Sequence, residues 1–159
     1  MEIKAELVKP YTEFERENFI VEQNHNLGYE IRETETALEA WGYTEEEIKE
    51  QERKRLDNLS MTRGDVFEAL ILARGLTKPQ IRAMIENAEL DTMTKALYLN
   101  RFDEALDFYR GFPVFDMLGQ VLGVTPKQLD DFFETKDYHK LLPVEEENNT
   151  EQASDVSST

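Results

Sequence analysis

The two histidines, His25 and His139, are the side chains best suited to proton transfer near neutral pH. His25 lies in the tripeptide NHN at the expected end of a helix, and His139 lies in the tetrapeptide DYHK. A general base or a metal ligand would need a nucleophile or a second ligand at a matching spacing, and neither histidine has one. The pattern therefore predicts helix-end or surface roles for both, and no catalytic residue.

Two acidic clusters, Asp130-Asp131 and Glu45-Glu46-Glu47, offer oxygen atoms of the kind that hard cations bind. Neither has the alternating ligands or the glycine turn of a calcium loop. The chain also has no cysteine and no glycine-rich phosphate-binding loop. We therefore expect no metal, no cofactor and no enzymatic activity.

The segment 117–129, MLGQVLGVTPKQL, resembles the helix-turn-helix of phage repressors. In those proteins the second helix enters the major groove and contacts phosphates through Arg or Lys. Here the second helix continues DDFFE, and Lys127 is its one basic residue. Carboxylates repel a phosphate backbone, so the segment is predicted to be a structural hairpin that does not bind nucleic acid.

Aromatic residues are dense after residue 100, and most have the spacing of a helical core: Phe102, Phe108, Tyr109, Phe112, Phe115, Phe132 and Phe133. Tyr109, Arg110 and Phe112 lie at a predicted turn. Aromatic residues beside an arginine are typical of protein-interface anchors. We predict that these three side chains reach outward to bind a protein partner.

The charge is strongly acidic, with 18 basic and 34 acidic residues and a net charge of −16. This balance disfavours nucleic acid and anionic membranes as partners. No window approaches the roughly 20 apolar residues of a membrane-spanning helix. The start, MEIKAE, lacks the apolar run of a signal peptide, so we expect a cytoplasmic protein.

A pattern of glycine, an apolar residue, threonine and then Glu or Gln three residues later begins at Gly42, Gly75 and Gly123. Glycine can adopt the left-handed conformation that ends a helix. The threonine caps the next helix, and the Glu or Gln completes a capping box. Each copy therefore predicts a junction between two helices.

Residues 1–43 are predicted to form a strand–helix–strand unit, because apolar residues alternate with polar ones at both ends of a helical segment. Two strands alone are marginally stable in water. We therefore predict that the strand edge carrying Tyr29 and Ile31 binds a partner or joins two copies of the chain.

From residue 34 onward the pattern predicts helices alone. A short helix is expected over 35–41, a charged connecting helix over 44–60 and a compact helical bundle over 61–142. The last residues, 143–159, are rich in Glu, Asn, Ser and Thr, and are predicted to be a disordered acidic tail. The fold class is thus mainly α.

The bundle contains an internal repeat, in which residues 63–85 align without gaps with residues 111–133. The identical pairs are Val66/Val114, Phe67/Phe115, Leu70/Leu118, Gly75/Gly123, Thr77/Thr125 and Gln80/Gln128. Each copy is predicted to be a helix–turn–helix hairpin. Duplication is the favoured explanation, and convergence on good capping residues is the alternative. Residues 91–110 are expected to form one long helix or two halves that meet at Asn100.

The stretch 11–34, YTEFERENFIVEQNHNLGYEIRET, followed by ALEAWG, resembles the opening segment of small acidic proteins encoded in the tail and tail-fibre regions of bacteriophages and prophages. The resemblance covers about the first 45 residues. It implies a phage origin, a role in tail assembly and a location in the host cytoplasm or on the virion. It transfers no catalytic residue.

Two functions are compatible with these features. The first is a non-enzymatic phage protein that binds a tail component as a tail-region accessory or assembly factor. The alternative is an acidic anti-defence inhibitor that mimics nucleic acid and blocks a host nuclease. A mimic needs an ordered stripe of carboxylates. Residues 45–52 supply part of one, but Lys49 and the RKR run at 53–55 interrupt it.

Overall fold

The structure, a computed structural model, describes residues 1–143; the predicted acidic tail beyond Pro143 lies outside the described residues. Helices make up 60% of it, with seven α-helices and a small amount of sheet. The prediction of a mainly helical chain is therefore confirmed. The chain divides into a first unit, Met1–Arg55, and a second unit that begins at Leu56.

The first unit is a three-stranded antiparallel sheet with helices. Its elements are β1 (Glu2–Val8), α1 (Glu13–Ile20) with a π-helical continuation (Val21–Asn26), β2 (Glu30–Glu33), β3 (Ala37–Gly42) and most of α2 (Glu45–Asp57). The strand order is β1-β3-β2, so β3 is the central strand and pairs with both of the others.

Strand β3 corrects the sequence analysis, which predicted a helix over 35–41. The sequence ALEA favours a helix by local propensity. In the protein these residues form the central strand, which pairs on both of its edges, and Ala37, Leu38 and Ala40 are buried. Tertiary pairing therefore overrides the local preference.

The junction at Gly42 is consequently between a strand and a helix, not between two helices. Thr44 and Glu47 do form the expected capping box: the Thr44 N–H donates to Glu47 Oε2 at 2.8 Å, and the Glu47 N–H donates to Thr44 Oγ1 at 3.2 Å. Gly42 is needed for a close approach, since a Cβ there would lie 2.9 Å from the ring of Tyr29.

The second unit is a helical bundle with one short strand pair. Its elements are β4 (Ser60–Thr62), α3 (Arg63–Arg74), α4 (Lys78–Asn87), α5 (Thr92–Glu104), β5 (Asp107–Tyr109), α6 (Pro113–Leu122), α7 (Pro126–Thr135) and a 3-10 turn (Tyr138–Leu141). Strands β4 and β5 pair antiparallel and correct the expectation of helices alone. Three residues are too few for an alternating pattern to stand out in the sequence. Helix α5 runs unbroken through Asn100.

The predicted caps at Gly75 and Gly123 are present. The two glycines have φ of +64° and +68°, the left-handed values that end α3 and α6. Thr77 and Thr125 begin the following helices with capping boxes completed by the glutamines three residues later. Because these contacts join neighbouring residues, the sequence alone could reveal them.

Aromatic rings form the centre of the second unit's core. Phe67, Phe102, Phe108, Phe115, Phe133 and Phe132 follow one another with ring centroids 5.1–6.3 Å apart. Burying one such side chain contributes about 1.5–3 kcal/mol. In the first unit, by contrast, the buried apolar residues are Ala37, Leu38 and Ala40. The first unit thus leaves much of its apolar surface in contact with water.

Glu33 makes the first unit sensitive to acid. Its carboxylate accepts a hydrogen bond from the Tyr11 hydroxyl at 2.9 Å and lies 3.1 Å from Lys9 Nζ, and these two contacts lower the pKa of Glu33. Because this pKa is lower in the folded than in the unfolded chain, where it is near 4.5, the ionised Glu33 increases the free energy of unfolding at pH values above 4.5. This contribution is lost as the pH falls through the folded-state pKa.

We therefore expect the unfolding midpoint of the wild type to fall more between about pH 6 and about pH 3 than that of Glu33→Gln. Fluorescence of Trp41, the only tryptophan of the chain and a residue of the same sheet, is the measurement. Parallel pH profiles for the two proteins would contradict the prediction.

Candidate protein-binding surfaces

Arg110 lies inside the second unit, with 2% of its side chain exposed. Its Nε donates to Asp130 Oδ1 at 2.6 Å, and its Nη2 lies 3.0 Å from Asp116 Oδ1. The prediction that Arg110 reaches outward is therefore wrong. The reason is that Asp116 of α6 and Asp130 of α7 each supply a carboxylate to Arg110. These partners lie 6 and 20 residues after Arg110, and such separations give no helical or strand periodicity that the sequence would reveal.

Tyr109 and Phe112 are placed at the surface side of the same turn. Tyr109 is 41% exposed and Phe112 is half-buried, with ring centroids 5.5 Å apart. The guanidinium that accompanies them belongs to Arg101, whose Cζ lies 4.4 Å from the centroid of the Phe112 ring. An exposed arginine therefore does lie beside Phe112, but it is Arg101, which the sequence analysis did not propose.

Phe112 and Arg101 line a concave surface that we call the α5–α6 groove, with a volume of about 300 Å³. It is lined by Leu97, Tyr98 and Arg101 of α5 and by Gly111, Phe112, Pro113 and Val114. Leu97 is 59% exposed, and Met93, one turn earlier, is 74% exposed. The outer face of α5 is therefore apolar where it borders the groove.

Ile31 and Tyr29 have different environments in the first unit. Ile31 is half-buried and pairs across the sheet with the buried Ala40, so it lies on the inner face. Tyr29 is also half-buried, with its ring against Gly42. Of the two, Tyr29 borders an open concavity.

We call this concavity the N-terminal groove; its volume is about 610 Å³. It is lined by Met1, Lys4, Asn24, Leu27, Gly28, Tyr29, Glu30, Trp41, Gly42, Tyr43 and Ile48. Leu27, Tyr43 and Ile48 are each about half exposed, at 55%, 47% and 54%. Several of the large exposed apolar side chains of the first unit therefore converge on one surface.

The candidate chemical groups do not assemble into a reactive site. His139 is exposed, with its Nδ1 2.6 Å from Asp137 Oδ1, and the backbone N–H of His139 together with this ring contact lowers the pKa of Asp137. His25 is exposed at the end of the π-helical continuation of α1. Within residues 1–143, no three His, Asp or Glu side chains come together as metal ligands would.

The second helix of the helix-turn-helix-like segment is turned into the core. Leu129, Phe132 and Phe133 of α7 are buried, and Lys127 pairs with Asp131 at 2.8 Å. This arrangement leaves α7 without a basic face for phosphates.

No helix among the described residues combines the length and the apolar character needed to cross a bilayer. No family model matches the chain, and neither the curated proteins nor the solved structures yield a match. The two grooves are therefore the features from which a function can be argued.

The sequence analysis did not propose most of the groove residues, among them Leu97, Arg101, Trp41 and Tyr43. A signal existed for two of them, since Met93, Leu97 and Arg101 recur every four residues and so share one face of a helix. No such signal existed for Trp41 and Tyr43, because their placement depends on β3 being a strand.

Proposed function

We propose that this chain is a non-enzymatic bacteriophage protein that acts through protein–protein contacts, as a tail-region accessory or assembly factor. The observation that carries the proposal is the α5–α6 groove, where exposed apolar and aromatic side chains surround a concavity. Exposed apolar groups gathered in this way are typical of protein-binding surfaces. The phage origin, and with it a place in the host cytoplasm or on the virion, rests on the resemblance of residues 11–42.

The chemistry of the groove suits a protein partner. Phe112 and Tyr98 are half-buried and so already held in position, which lowers the entropy cost of binding. Arg101 is oriented by the ring of Phe112, at 4.4 Å, and can pair with a partner's carboxylate or carbonyl group. Aromatic residues and arginine are the side chains most enriched among binding hot spots.

We also propose that residues 63–85 and 111–133 are duplicated hairpins. Gly75 and Gly123 share the left-handed conformation. Phe67 is half-buried against the core and Phe115 is buried, so neither lies free on the surface.

We propose likewise that β1, α1 and β2 act together as a docking unit, because β1 and β2 are the edges of their sheet.

The acidic inhibitor is the less favoured alternative. Helix α2 holds much of the charge that a nucleic-acid mimic would present, but Glu50 pairs with Lys54 at 2.6 Å and Glu52 with Arg55 at 2.7 Å. These ion pairs neutralise part of the carboxylate row. The proposal of assembly by apolar contact therefore has the stronger support.

The test is capture of partners by the tagged full-length chain from cells in which a prophage has been induced, with washes at about 0.05 M and about 0.5 M salt. We expect tail proteins to survive the high-salt wash, and we expect Leu97→Ser to reduce their recovery about tenfold. Leu106→Ser is the matched control, because Leu106 is 85% exposed and does not line the groove.

Equal recovery by the two variants would show that the α5–α6 groove is not the binding surface. A nuclease or other defence protein that is held at low salt and shed at high salt would instead favour the acidic inhibitor, since screening weakens contacts between charges more than apolar ones.

A further inference from the structure

We propose that the α5–α6 groove binds an amphipathic helix of the protein partner, with Asp or Glu at the border of the apolar stripe of that helix. The inference rests on the part of the proposed function that makes this groove a protein-binding surface. It adds the conformation and the charge of the segment that enters the groove.

The exposed face of α5 has the spacing that a second helix packs against. Met93 is 74% exposed, Leu97 is 59% exposed, and Arg101 is exposed as well. The three residues follow one another at intervals of four, so their side chains lie on one face of α5 over about 12 Å. Side chains four residues apart form the ridges that fit between the side chains of another helix, and such contact removes the apolar ones from water.

The backbone of the opposite wall favours a helix over an extended segment. The Gly111 N–H donates to the Asp57 carbonyl at 3.0 Å. The Phe112 N–H donates to the Tyr109 carbonyl at 3.0 Å, and Pro113 has no N–H. A segment that binds as an added strand needs free backbone donors along its path, and this part of the wall offers none. A helix satisfies its own backbone groups and binds through side chains alone.

Charge complementarity selects an acidic occupant. Among the described residues that line the groove, Arg101 is charged and none is acidic. No carboxylate in the described part of the chain pairs with Arg101, whereas Arg110 is already paired with Asp116 and Asp130. The Arg101 guanidinium lies over the Phe112 ring at 4.4 Å. Stacking uses the flat face of a guanidinium and leaves the N–H groups at its edge for a carboxylate.

The net charge of the chain does not prevent this contact. At −16 the chain repels an acidic partner at long range. At physiological salt that repulsion is screened beyond about 8 Å, whereas an arginine and a carboxylate in contact are much closer. Apolar contact therefore supplies most of the affinity, and Arg101 supplies the choice between acidic and basic helices.

The experiment measures fluorescence anisotropy of three labelled peptides with the full chain at about 0.15 M salt. Each peptide has about 18 residues, enough to form a helix, and its leucines form one stripe. The positions that border the stripe are Glu in the first peptide, Gln in the second and Lys in the third. We expect the Glu peptide to bind most tightly and the Lys peptide least tightly. Arg101→Glu should weaken binding of the Glu peptide about tenfold and make the Lys peptide the preferred one.

Lys95→Glu is the matched control, because it changes the net charge by the same amount on the same helix, at a residue that does not line the groove. We expect this variant to keep the preference for the Glu peptide. Unfolding midpoints establish that both variants fold. Arg101→Gln replaces Arg101→Glu if the latter does not fold, and it should bind the Glu and Lys peptides about equally.

Three results would overturn the inference: no binding of the Glu peptide, equal binding of the Glu and Lys peptides by the wild type, or equal loss in Arg101→Glu and Lys95→Glu. Its failure is distinguishable from failure of the proposed function. If the two peptides bind equally but Leu97→Ser still lowers the recovery of tail proteins, the groove is the binding surface and its occupant is not selected by charge.

Discussion

Arg110→Met is expected to lower the free energy of unfolding by about 3 kcal/mol, since truncating one partner of a buried ion pair typically costs about 3–5 kcal/mol. The substitution keeps an unbranched side chain but removes the charge that faces Asp130 and Asp116. Asp130 is 18% exposed and would be left as a poorly solvated carboxylate. Partial hydration of the two acids places the effect at the lower end of the range.

The measurement is urea unfolding followed by far-ultraviolet circular dichroism, which reports the helices. Lys127→Met is the control: it breaks the pair with Asp131, but Lys127 is 82% exposed, so the midpoint should stay essentially unchanged. Combining Arg110→Met with Asp130→Leu should recover much of the loss, because the largely buried carboxylate that faced Arg110 is then replaced by an apolar side chain. A loss below about 1 kcal/mol in Arg110→Met would show that the pair contributes little.

Gly119→Ala is expected to destabilise the chain by about 2 kcal/mol, although alanine is the better helix former. A Cβ on Gly119 would lie 2.9 Å from the carbonyl oxygen of Val124 and 3.1 Å from Leu129 Cδ1. The backbone cannot simply move away, because the Val124 N–H donates to the Gly119 carbonyl at 2.8 Å. Overpacking of this kind costs about 1–3 kcal/mol, more than the helix propensity returns.

Gly64→Ala is the matched substitution for Gly119→Ala. Gly64 is also helical, but the nearest atom to its added Cβ, Thr62 Oγ1, is 3.9 Å away. Its replacement should therefore stabilise the chain by about 0.5 kcal/mol. Opposite signs in the two thermal unfolding midpoints are the expected result. A stabilising Gly119→Ala would mean that α6 and α7 are less closely packed than the structure has them.

At Gly119 the two copies of the internal repeat differ in structure. Gly119 aligns with Ile71, which is 49% exposed. The Val124 N–H bonds to Gly119, whereas the equivalent Leu76 N–H bonds to Leu70, one residue earlier than the repeat would place it. Local capping was predictable in both copies because it depends on neighbouring residues. The packing between the helices differs because one copy has Gly119 where the other has Ile71, and the overall similarity of the two sequences does not reveal this difference.

The candidate surfaces, like the internal repeat, were predictable only where they depend on neighbouring residues. Tyr109 and Phe112 were identified from composition at a turn; Phe112 does line a groove, and the ring of Tyr109 packs beside it. Arg110 was assigned to the surface because nothing in the local sequence reveals Asp130, twenty residues later, as its partner. The N-terminal groove could not be predicted without first predicting that β3 is a strand. The local sequence of β3 favours a helix, and its strand conformation depends on pairing with β1 and β2.

The central position of β3 also imposes an order on synthesis. β1 and β2 are made first, yet they do not pair with each other; each pairs only with β3, the last strand of the unit to be translated. The closure that joins β1 to β3 spans most of the first unit and carries the entropy cost of a non-local contact. The nascent chain therefore cannot form this sheet until residue 42 has emerged from the ribosome, and β1 and β2 carry charged residues of the kind that limit edge-to-edge aggregation of unpaired strands.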